Sequence, residues 1–446
     1  MPGHGDAPSP DFGAAVTALI RGNIVAHLLS MSEPDATADG EAAANPTSSD
    51  ARPDADGVAD ALGASQGSGT WPPAVPASRR RLWPKLLAGF AVIVIVAALV
   101  AARTSVNYYV LTPGDATPVA QFIHVPAADN HPLTGKILLT DVYVTPLNAL
   151  NYLQYRFFDS DSQVISGQDL LGPTTDENQF LDQGYLQMAQ AQSFATAAAL
   201  SHLGYSVTST NAGALIFGIA ANSPAASTLQ VAQVITAVNA TPVTTDCSLI
   251  TALHGLTPGQ HVALKVEDSS INSVGDFVSG PIVTKSVTLG TPPKGLVDTG
   301  CGAPTTPTAY LGIEPQTQQD WQFPVKVSVR TQNIGGPSAG LAMTLGIIDK
   351  LSSGRLTGNR IVAATGTIDQ DGNVGDVGGV AEKTIAVERA GATVFFVPTV
   401  ELKAAESKAT PQLHVYAVNN LSQVLRILTH LGGSVPTKPV PVQASP

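Results

Sequence analysis

The longest continuous apolar run in the sequence covers residues 86–102, seventeen residues without a charge. A helix needs roughly 17–25 such residues to cross a bilayer, so the run predicts one transmembrane helix at the short end of that range. A cleaved signal peptide is the alternative, because Val100-Ala101-Ala102 resembles a signal-peptidase site. The long tail before the run and the aromatic pair Tyr108-Tyr109 after it favour an uncleaved anchor.

Four basic residues precede this run, at Arg79, Arg80, Arg81 and Lys85. Basic residues collect on the cytoplasmic side of a span, so we expect the N-terminal tail inside the cell and the rest of the chain outside. Residues 1–78 are rich in Ala, Asp, Ser, Pro and Gly and are predicted to be disordered. Met31 is an alternative start of the protein.

After the span, the pattern alternates between strand and helix. Residues 136–144 have strand composition, and residues 186–203 have helical spacing that stops at Gly204. Residues 209–290 then run strand, Ser-Pro-Ala-Ala turn, strand, short helix, Pro-Gly turn and strand. The order predicts two structural units in this part of the chain.

The segment from residue 333 to residue 398 contains the most distinctive pattern. It opens on glycines and a proline around Ser338 and continues into an apolar helix over residues 341–351. A strand over residues 361–368 follows, and Asp371-Gly372-Asn373 predicts a turn. Gly378-Gly379 then begins a second helix, which contains Lys383.

Two side chains in this segment suggest chemistry. Ser338 lies where glycines and a proline give way to a helix, so its hydroxyl and nearby backbone N–H groups can face one point. Lys383 is surrounded in sequence by apolar residues, and burial would favour its neutral form. Taken singly, the serine is more often a helix cap and the lysine a solvated surface residue. Together they form a known nucleophile–base pair.

The motifs Gly-Pro-Ser-Ala-Gly, Thr-Gly-x-Ile and Gly-Gly-x-x-x-Lys resemble the proteolytic domain of Lon-type Ser-Lys proteases. The variant resembles the membrane-anchored, PDZ-containing Lon-like proteases of bacteria. The resemblance implies that Ser338 is the nucleophile, Lys383 its general base and Thr365 a residue that orients the lysine. It also implies supporting roles around the serine, for Gly336, Pro337 and Ala339.

The sequence departs from the Lon pattern at two positions. Gly335 stands where classical Lon has an aspartate three residues before the serine, and Thr367 stands where it has a glutamate. Residues 378–384 also mimic the end of a Walker A motif, but Glu382 replaces the required glycine and would repel phosphate. We therefore expect no ATPase, no cofactor and no metal site.

Residues 209–290 resemble a bacterial PDZ domain, although Ala232-Gln233 stands where Gly-Asp usually precedes the strand. PDZ domains capture extended peptides at a sheet edge. By this resemblance, Gly213, Ala214 and Leu215 are the candidate loop for a peptide's C-terminal carboxylate.

Charge and cysteine content argue against nucleic-acid binding and against a cysteine metal site. The net charge is −11, but residues 1–78 contain ten acidic residues against two basic ones, which leaves the remainder near −3. No basic nucleic-acid footprint is present. The two cysteines, Cys247 and Cys301, lack metal-ligand spacing and are compatible with one disulfide or with separate thiols.

The predicted fold class is an α/β (α+β) Lon-type proteolytic domain with an inserted PDZ-like domain, preceded by one transmembrane helix. The predicted divisions are a tail (1–78), basic flank and span (79–103), N-terminal protease region (104–208), PDZ-like insert (209–290), linker (291–304), dyad-bearing domain (305–432) and disordered end (433–446).

The predicted function is an ATP-independent, membrane-anchored serine endopeptidase whose PDZ module recognises extended or C-terminal peptide segments outside the cytoplasm. Expected partners are polypeptide substrates and, through residues 86–102, membrane lipid; nucleic acid is excluded, and the Lon resemblance favours a homo-oligomer. A catalytically inactive PDZ scaffold or sensor at the membrane is the alternative.

Overall fold

The computed structural model describes residues 82–172, 177–296, 301 and 307–436. The predicted tail over residues 1–78, Arg79, Arg80 and Arg81, and residues 437–446 of the predicted disordered end lie outside this part. The helices are α1 (Leu82–Arg103), α2 (Ala149–Phe158), α3 (Gly167–Leu171), α4 (Glu177–His202), α5 (Asp246–Leu253), α6 (Gly340–Leu351), α7 (Val380–Arg389), α8 (Leu402–Glu406) and α9 (Leu421–His430).

Eighteen strands accompany them in the described residues. They are β1 (Ser105–Pro118), β2 (Ile123–His124), β3 (Lys136–Asn148), β4 (Gln163–Ser166), β5 (Thr208–Ile219), β6 (Val234–Val238), β7 (Thr241–Pro242), β8 (His261–Glu267), β9 (Ser270–Ile271), β10 (Phe277–Val278), β11 (Ile282–Thr288), β12 (Ile313–Gln322), β13 (Ser328–Val329), β14 (Ile361–Ala364), β15 (Thr367–Ile368), β16 (Val374–Gly375), β17 (Val394–Pro398) and β18 (His414–Val418).

Helix α1 contains the predicted apolar run. Its mean hydropathy reaches 2.6 over Trp83–Arg103, and none of that stretch is buried. At 1.5 Å rise per residue, its 22 residues extend about 33 Å, close to the thickness of a bilayer core. Length and composition therefore qualify α1 as a candidate membrane span.

The first sheet has strand order β18-β17-β14-β3-β1-β4. Strand β3 pairs in parallel with β14, with Leu139 opposite Ala364, and antiparallel with β1. Because side chains alternate along a strand, Leu139 and Ala364 face one hydrophobic cluster, whereas Leu138 faces another. Helices α4 and α6 contribute to the first cluster, and α7 contributes to the second. The sheet thus combines strands that precede residue 170 with strands that follow residue 360.

The second sheet has strand order β11-β8-β6-β5-β12, with β7 paired to β6. Strand β5 lies between β6 and β12, and its residues Ala214 and Leu215 pair on both sides. The alternating pattern of β8, in which Val262, Leu264 and Val266 are buried, supplies one side of its core. Strand β12 comes from the start of the predicted dyad-bearing domain and nevertheless forms an edge of this sheet.

The segment predicted as one strand over residues 361–368 is divided in the structure. Strand β14 ends at Ala364, and β15 begins at Thr367 and pairs with β16 instead. Gly366 lies between them with φ +146°, a conformation that side chains disfavour. Thr365 still donates its N–H to the Phe396 carbonyl of β17 at 3.0 Å, whereas the Gly366 N–H leaves the sheet and donates to the Ser338 carbonyl.

Cys247 and Cys301 form a disulfide across a sequence separation of 54 residues. The bond joins the first turn of α5 to the segment that leads into β12. Of the two alternatives that the spacing left open, the structure contains the paired form.

Candidate active site

Ser338 lies in a loop that ends just before α6. Backbone hydrogen bonds hold this loop to α4 on one side and to the residues after β14 on the other. The backbone reverses at Asn333 and Gly336, with φ +58° and +87°, and the Gly336 N–H donates to the Gly184 carbonyl on α4 at 2.7 Å. The Ser338 carbonyl accepts the Gly366 N–H at 2.9 Å and the Thr365 hydroxyl at 3.3 Å. These two bonds attach the Ser338 backbone to Thr365 and Gly366, the residues between β14 and β15.

Lys383 reaches the same point from α7. The helix is preceded by Gly379 in the left-handed conformation, and a Cβ at that position would lie 2.9 Å from a methyl group of Val142. Glycine therefore permits α7 to pack directly on β3. The Lys383 side chain is 0% exposed, and its Nζ lies 3.0 Å from Ser338 Oγ and 3.4 Å from Thr365 Oγ1.

Burial controls the charge of this lysine. Desolvation lowers the pKa of Lys383 to about 7, because the charged ammonium loses its water in the protein interior. The carboxylates of Asp141, Glu401 and Glu382 oppose the shift, since negative charge favours the protonated amine. Desolvation outweighs them, so a large fraction of Lys383 is neutral near pH 7.

Asp141 is a buried acid whose carboxylate acts on Lys383, and no pattern in the sequence singled it out. Asp141 lies on β3, two residues beyond Leu139, which pairs with the last residue of β14, Ala364. The carboxylate is only 4% exposed and accepts the Asp115 N–H at 2.6 Å. Burial raises the pKa of Asp141 to about 6, against the lowering effects of that hydrogen bond and of Lys383.

The backbone around Ser338 has donors available. Two N–H groups at the start of α6 are occupied: Gly340 donates to the Pro337 carbonyl and Leu341 to the Gly366 carbonyl. Within the described part of the chain, the amides of Ser338 and Ala339 have no such acceptor. They are the free donors closest in sequence to the serine hydroxyl.

A cavity of about 380 Å³ adjoins the serine. It is lined by residues of α4, by Gln316 of β12, by Pro337 next to Ser338 and by Thr367 of β15. Ser338 itself is 0% exposed, so the hydroxyl lies behind this cavity. A hydrogen bond of 3.1 Å from Gln190 on α4 to Gln316 joins the two sides of the cavity.

A second cavity, of about 370 Å³, lies between α5 and the beginning of β12. Leu249, Ile250, Leu253 and His254 line one side, and the segment from Tyr310 to Pro315 lines the other. The cavity lies at the edge strand of the second sheet, where an added peptide strand would find unpaired backbone groups.

The predicted carboxylate loop at Gly213, Ala214 and Leu215 is wrong. All three residues lie inside β5. Ala214 and Leu215 pair on both sides and are fully buried, and Gly213 pairs with β12, so neighbouring strands occupy the place that a peptide would need. The segment Tyr310-Leu311-Gly312-Ile313 occupies the accessible position. Its signal in the sequence was a glycine between bulky apolar residues at a strand start, and Gly312 adopts φ +83° against Ser223.

The other predicted site residues are found together. Ser338, Lys383 and Thr365 form one hydrogen-bonded group, and Gly336, Pro337 and Ala339 build the loop that carries the serine. Among the residues that the structure describes, no three His, Cys, Asp or Glu side chains are grouped so as to hold a metal ion.

Comparison with known proteins matches two parts of the chain. Residues 306–430 match the Lon protease (S16) C-terminal proteolytic domain, and residues 201–270 match the PDZ domain. The Lon protease of Chloroflexus aggregans is 30% identical over 122 residues, 27% of this chain and 15% of that protein. The Lon protease of Malacoplasma penetrans is 36% identical over 105 residues, 24% of this chain and 13% of that protein.

The chain therefore spans about 15% of the length of the curated relatives it matches. Among solved structures, the PDZ domain of an SdrC-like protein from Listeria monocytogenes is 16% identical, with a TM-score of 0.18. The match covers 24% of this chain and 90% of that one. The PDZ assignment rests on the family model. The chain carries a Lon-type proteolytic domain and a PDZ domain in one polypeptide, the combination found in the PDZ-containing Lon-like proteases.

Proposed function

We propose that this protein is an ATP-independent serine endopeptidase that hydrolyses peptide bonds with a Ser338–Lys383 dyad. The observation that carries the proposal is a fully buried lysine amine 3.0 Å from a serine hydroxyl at the start of a helix. A buried lysine is costly unless it is neutral or paired, and its nearest described hydrogen-bond partners are hydroxyls. The arrangement fits a neutral base better than an ion pair.

In the proposed reaction, Ser338 Oγ attacks the carbonyl carbon of the scissile bond while Lys383 Nζ accepts the hydroxyl proton. The protonated lysine then donates that proton to the leaving amine as the C–N bond breaks. Water hydrolyses the resulting ester with the same lysine as base. Thr365 holds Nζ in position through its hydroxyl, at 3.4 Å. The substrate oxyanion would be held by the amides of Ser338 and Ala339.

ATP independence is supported by the environment of residues 378–384. In a phosphate-binding loop the lysine points toward phosphate, but Nζ of Lys383 points toward Ser338. Glu382 is 5% exposed at the first turn of α7, where it would repel a nucleotide. We therefore assign this segment to the dyad and not to nucleotide binding.

We propose that the second cavity, the groove between α5 and β12, binds the end of an extended peptide by strand addition to β12. Apolar side chains on α5 would select the terminal residue, and the glycine turn at Gly312 would face its carboxylate. Gln316 lines the cavity beside Ser338, only a few residues along β12 from this groove. One strand therefore borders both the groove and the catalytic cavity.

We further propose that α1 is an uncleaved membrane anchor with the catalytic and PDZ parts outside the cytoplasm. The basic residues before α1 support this orientation. The disulfide between Cys247 and Cys301 supports it independently, because such bonds persist in oxidising compartments. By this proposal, residues 104–208 and the residues from the end of β12 to residue 432 build one proteolytic unit, and the inserted PDZ-like part includes residues 209–290 together with β12. The pairing of β3 with β14 and that of β12 with β5 support that division.

Ser338→Ala, Lys383→Arg and Lys383→Met should each reduce cleavage of an unfolded protein substrate by about 10³-fold or more, because nucleophile or base is lost. Arginine remains protonated and cannot act as base. Exposed positions provide matched controls: Ser353→Ala and Lys403→Arg should retain wild-type rates. Initial rates of the full chain in detergent, with circular dichroism to verify folding, test this. Wild-type cleavage by a folded Lys383→Arg protein would refute the dyad.

The pH profile tests the same base. Only neutral Lys383 accepts a proton, so kcat/KM should rise about ten-fold per pH unit below a midpoint near 7 and level off above it. Asp141→Asn should move the midpoint to lower pH, because the Asp141 carboxylate favours the protonated lysine. Glu406→Gln removes an exposed carboxylate and should leave the midpoint unchanged. A midpoint unmoved, or moved upward, in Asp141→Asn would contradict this electrostatic assignment.

The groove can be tested in a Ser338→Ala background, which prevents cleavage. Ile250→Asp should weaken binding of peptides with an apolar C-terminal residue by about ten-fold or more, because a charge would enter the apolar groove. Thr251→Asp, exposed on the same helix, is the matched control and should bind normally. Fluorescence polarisation with free and amidated peptides gives the affinities. Equal binding by both variants would exclude the groove.

The topology predicts unequal protection of the two chain ends in intact cells. A protease added outside should remove a C-terminal tag and spare an N-terminal tag, because a single span separates them. Alkaline extraction should leave the protein in the membrane fraction. Release of the protein by that treatment would support a cleaved signal instead, and digestion of the N-terminal tag would reverse the orientation.

A further inference from the structure

Helix α2 exposes apolar side chains that a soluble surface helix would bury. None of its ten residues is buried. Leu150, Leu153, Phe157 and Phe158 are 40%, 50%, 71% and 87% exposed. Large apolar groups normally face the core, so a contiguous exposed set marks an interaction surface.

Three of these side chains share one stripe of the helix. Leu150, Leu153 and Phe157 are spaced i, i+3 and i+7, which places them on one face, and Phe158 lies beside them. The tyrosines occupy the other face: the Tyr152 ring lies 4.7 Å from that of Tyr108 on β1. The helix therefore turns its polar-tipped aromatics toward the protein and its purely apolar residues outward.

The position of α2 indicates what covers this stripe. The Ala149 N–H, at the first residue of α2, donates to the carbonyl of Thr104 at 2.9 Å. Thr104 directly follows the last residue of α1, and Ser105 pairs with Asn148. A helix of ten residues is about 15 Å long, so α2 extends about that far from the hydrogen bond that joins it to Thr104, the residue after α1.

We propose that the α2 stripe, formed by Leu150, Leu153, Phe157 and Phe158, inserts into the interface of the lipid bilayer that α1 spans. The inference rests on the proposed membrane anchoring of α1. A bilayer interface accepts aromatic and aliphatic side chains without a complementary groove, and tyrosines such as Tyr108 and Tyr152 are favoured beside it. Arg156, exposed on the same helix, can extend its guanidinium to lipid phosphates.

Continuity with α1 favours lipid over a protein partner. Any protein partner would have to cover a surface that starts at Ala149, which is hydrogen-bonded to the residue after α1. In the proposed arrangement, lipid headgroups already surround the chain there. Two attachments, the span and the stripe, would restrict rotation of the catalytic unit about α1. The proposal therefore gives the protease a defined orientation on the membrane.

The test uses the full chain in phosphatidylcholine vesicles, with Phe157→Cys carrying an environment-sensitive fluorophore. The native cysteines are disulfide-bonded, so the introduced thiol is labelled selectively. Lipids with a doxyl group near the headgroup should quench the probe at least about two-fold. The control is Ser273→Cys, at an exposed position in the β9–β10 hairpin, and it should be quenched much less.

A second readout uses orientation. Phe157→Ser/Phe158→Ser should loosen the catalytic unit and increase the rotational freedom of a Ser273→Cys label, whereas Val278→Ser, an exposed apolar position elsewhere, should not. Fluorescence anisotropy in the same vesicles measures this. Flotation of each variant reports whether α1 still anchors the chain.

The outcomes separate the two proposals. Recovery of the protein away from the vesicles would refute the anchor itself. A floating protein whose residue 157 probe is quenched no more than the residue 273 control would overturn lipid docking and leave the anchor standing. Energy transfer between labelled chains that disappears on dilution with lipid, without quenching, would assign the stripe to a second copy and also overturn the proposal.

Discussion

Desolvation of one lysine is the constraint on which the catalytic arrangement depends. An ammonium loses far more by burial than a neutral amine, so the interior around Lys383 favours the form that can accept a proton. Three acidic groups oppose this effect, and the balance places the pKa of Lys383 near 7. In the proposed mechanism, this pKa lets Lys383 act as the base near neutral pH without a histidine. The same burial requires tight packing of α7 on β3, which Gly379 permits.

That packing depends on residues far apart in the chain. Strand β3 precedes the second sheet in sequence and β14 follows it, yet they are neighbours in the first sheet. Strand β3 also carries Asp141, whose carboxylate acts on the charge of Lys383, and β14 leads into Thr365 and Gly366, which hold the Ser338 carbonyl. The electrostatics of the dyad thus include a contribution from outside the residues matched to the Lon domain.

The second sheet reaches the cavity next to the Ser338 loop through its edge strand β12. Strand β12 belongs to the second sheet, but Gln316 on it lines the cavity beside Ser338 and bonds to Gln190 of α4. Through this contact the position of the second sheet affects the shape of the cavity. Ser338 is fully buried, so in the proposed mechanism the shape of this cavity would govern access of a peptide bond to its hydroxyl.

The sequence by itself determined the local features. Apolar runs and their spacing predicted α1, the C-terminal part of α4 and α6, and the glycines and proline around Ser338 predicted the loop before a helix. The motifs that resemble Lon-type proteases singled out Ser338, Lys383 and Thr365, which the structure brings together. These features depend on short stretches of chain, where local backbone preferences and periodicity act directly.

Only the tertiary structure decided what depends on strand order. The carboxylate loop was predicted at residues 213–215, but β12 joins the sheet beside β5 and makes that segment interior. Asp141 approaches the dyad, and Cys247 meets Cys301, only after distant strands and loops have packed. The outward stripe of α2 was likewise invisible, because an apolar helix pattern does not say which face the fold covers. Sequence periodicity specifies the faces of an element, whereas its neighbours follow from long-range pairing.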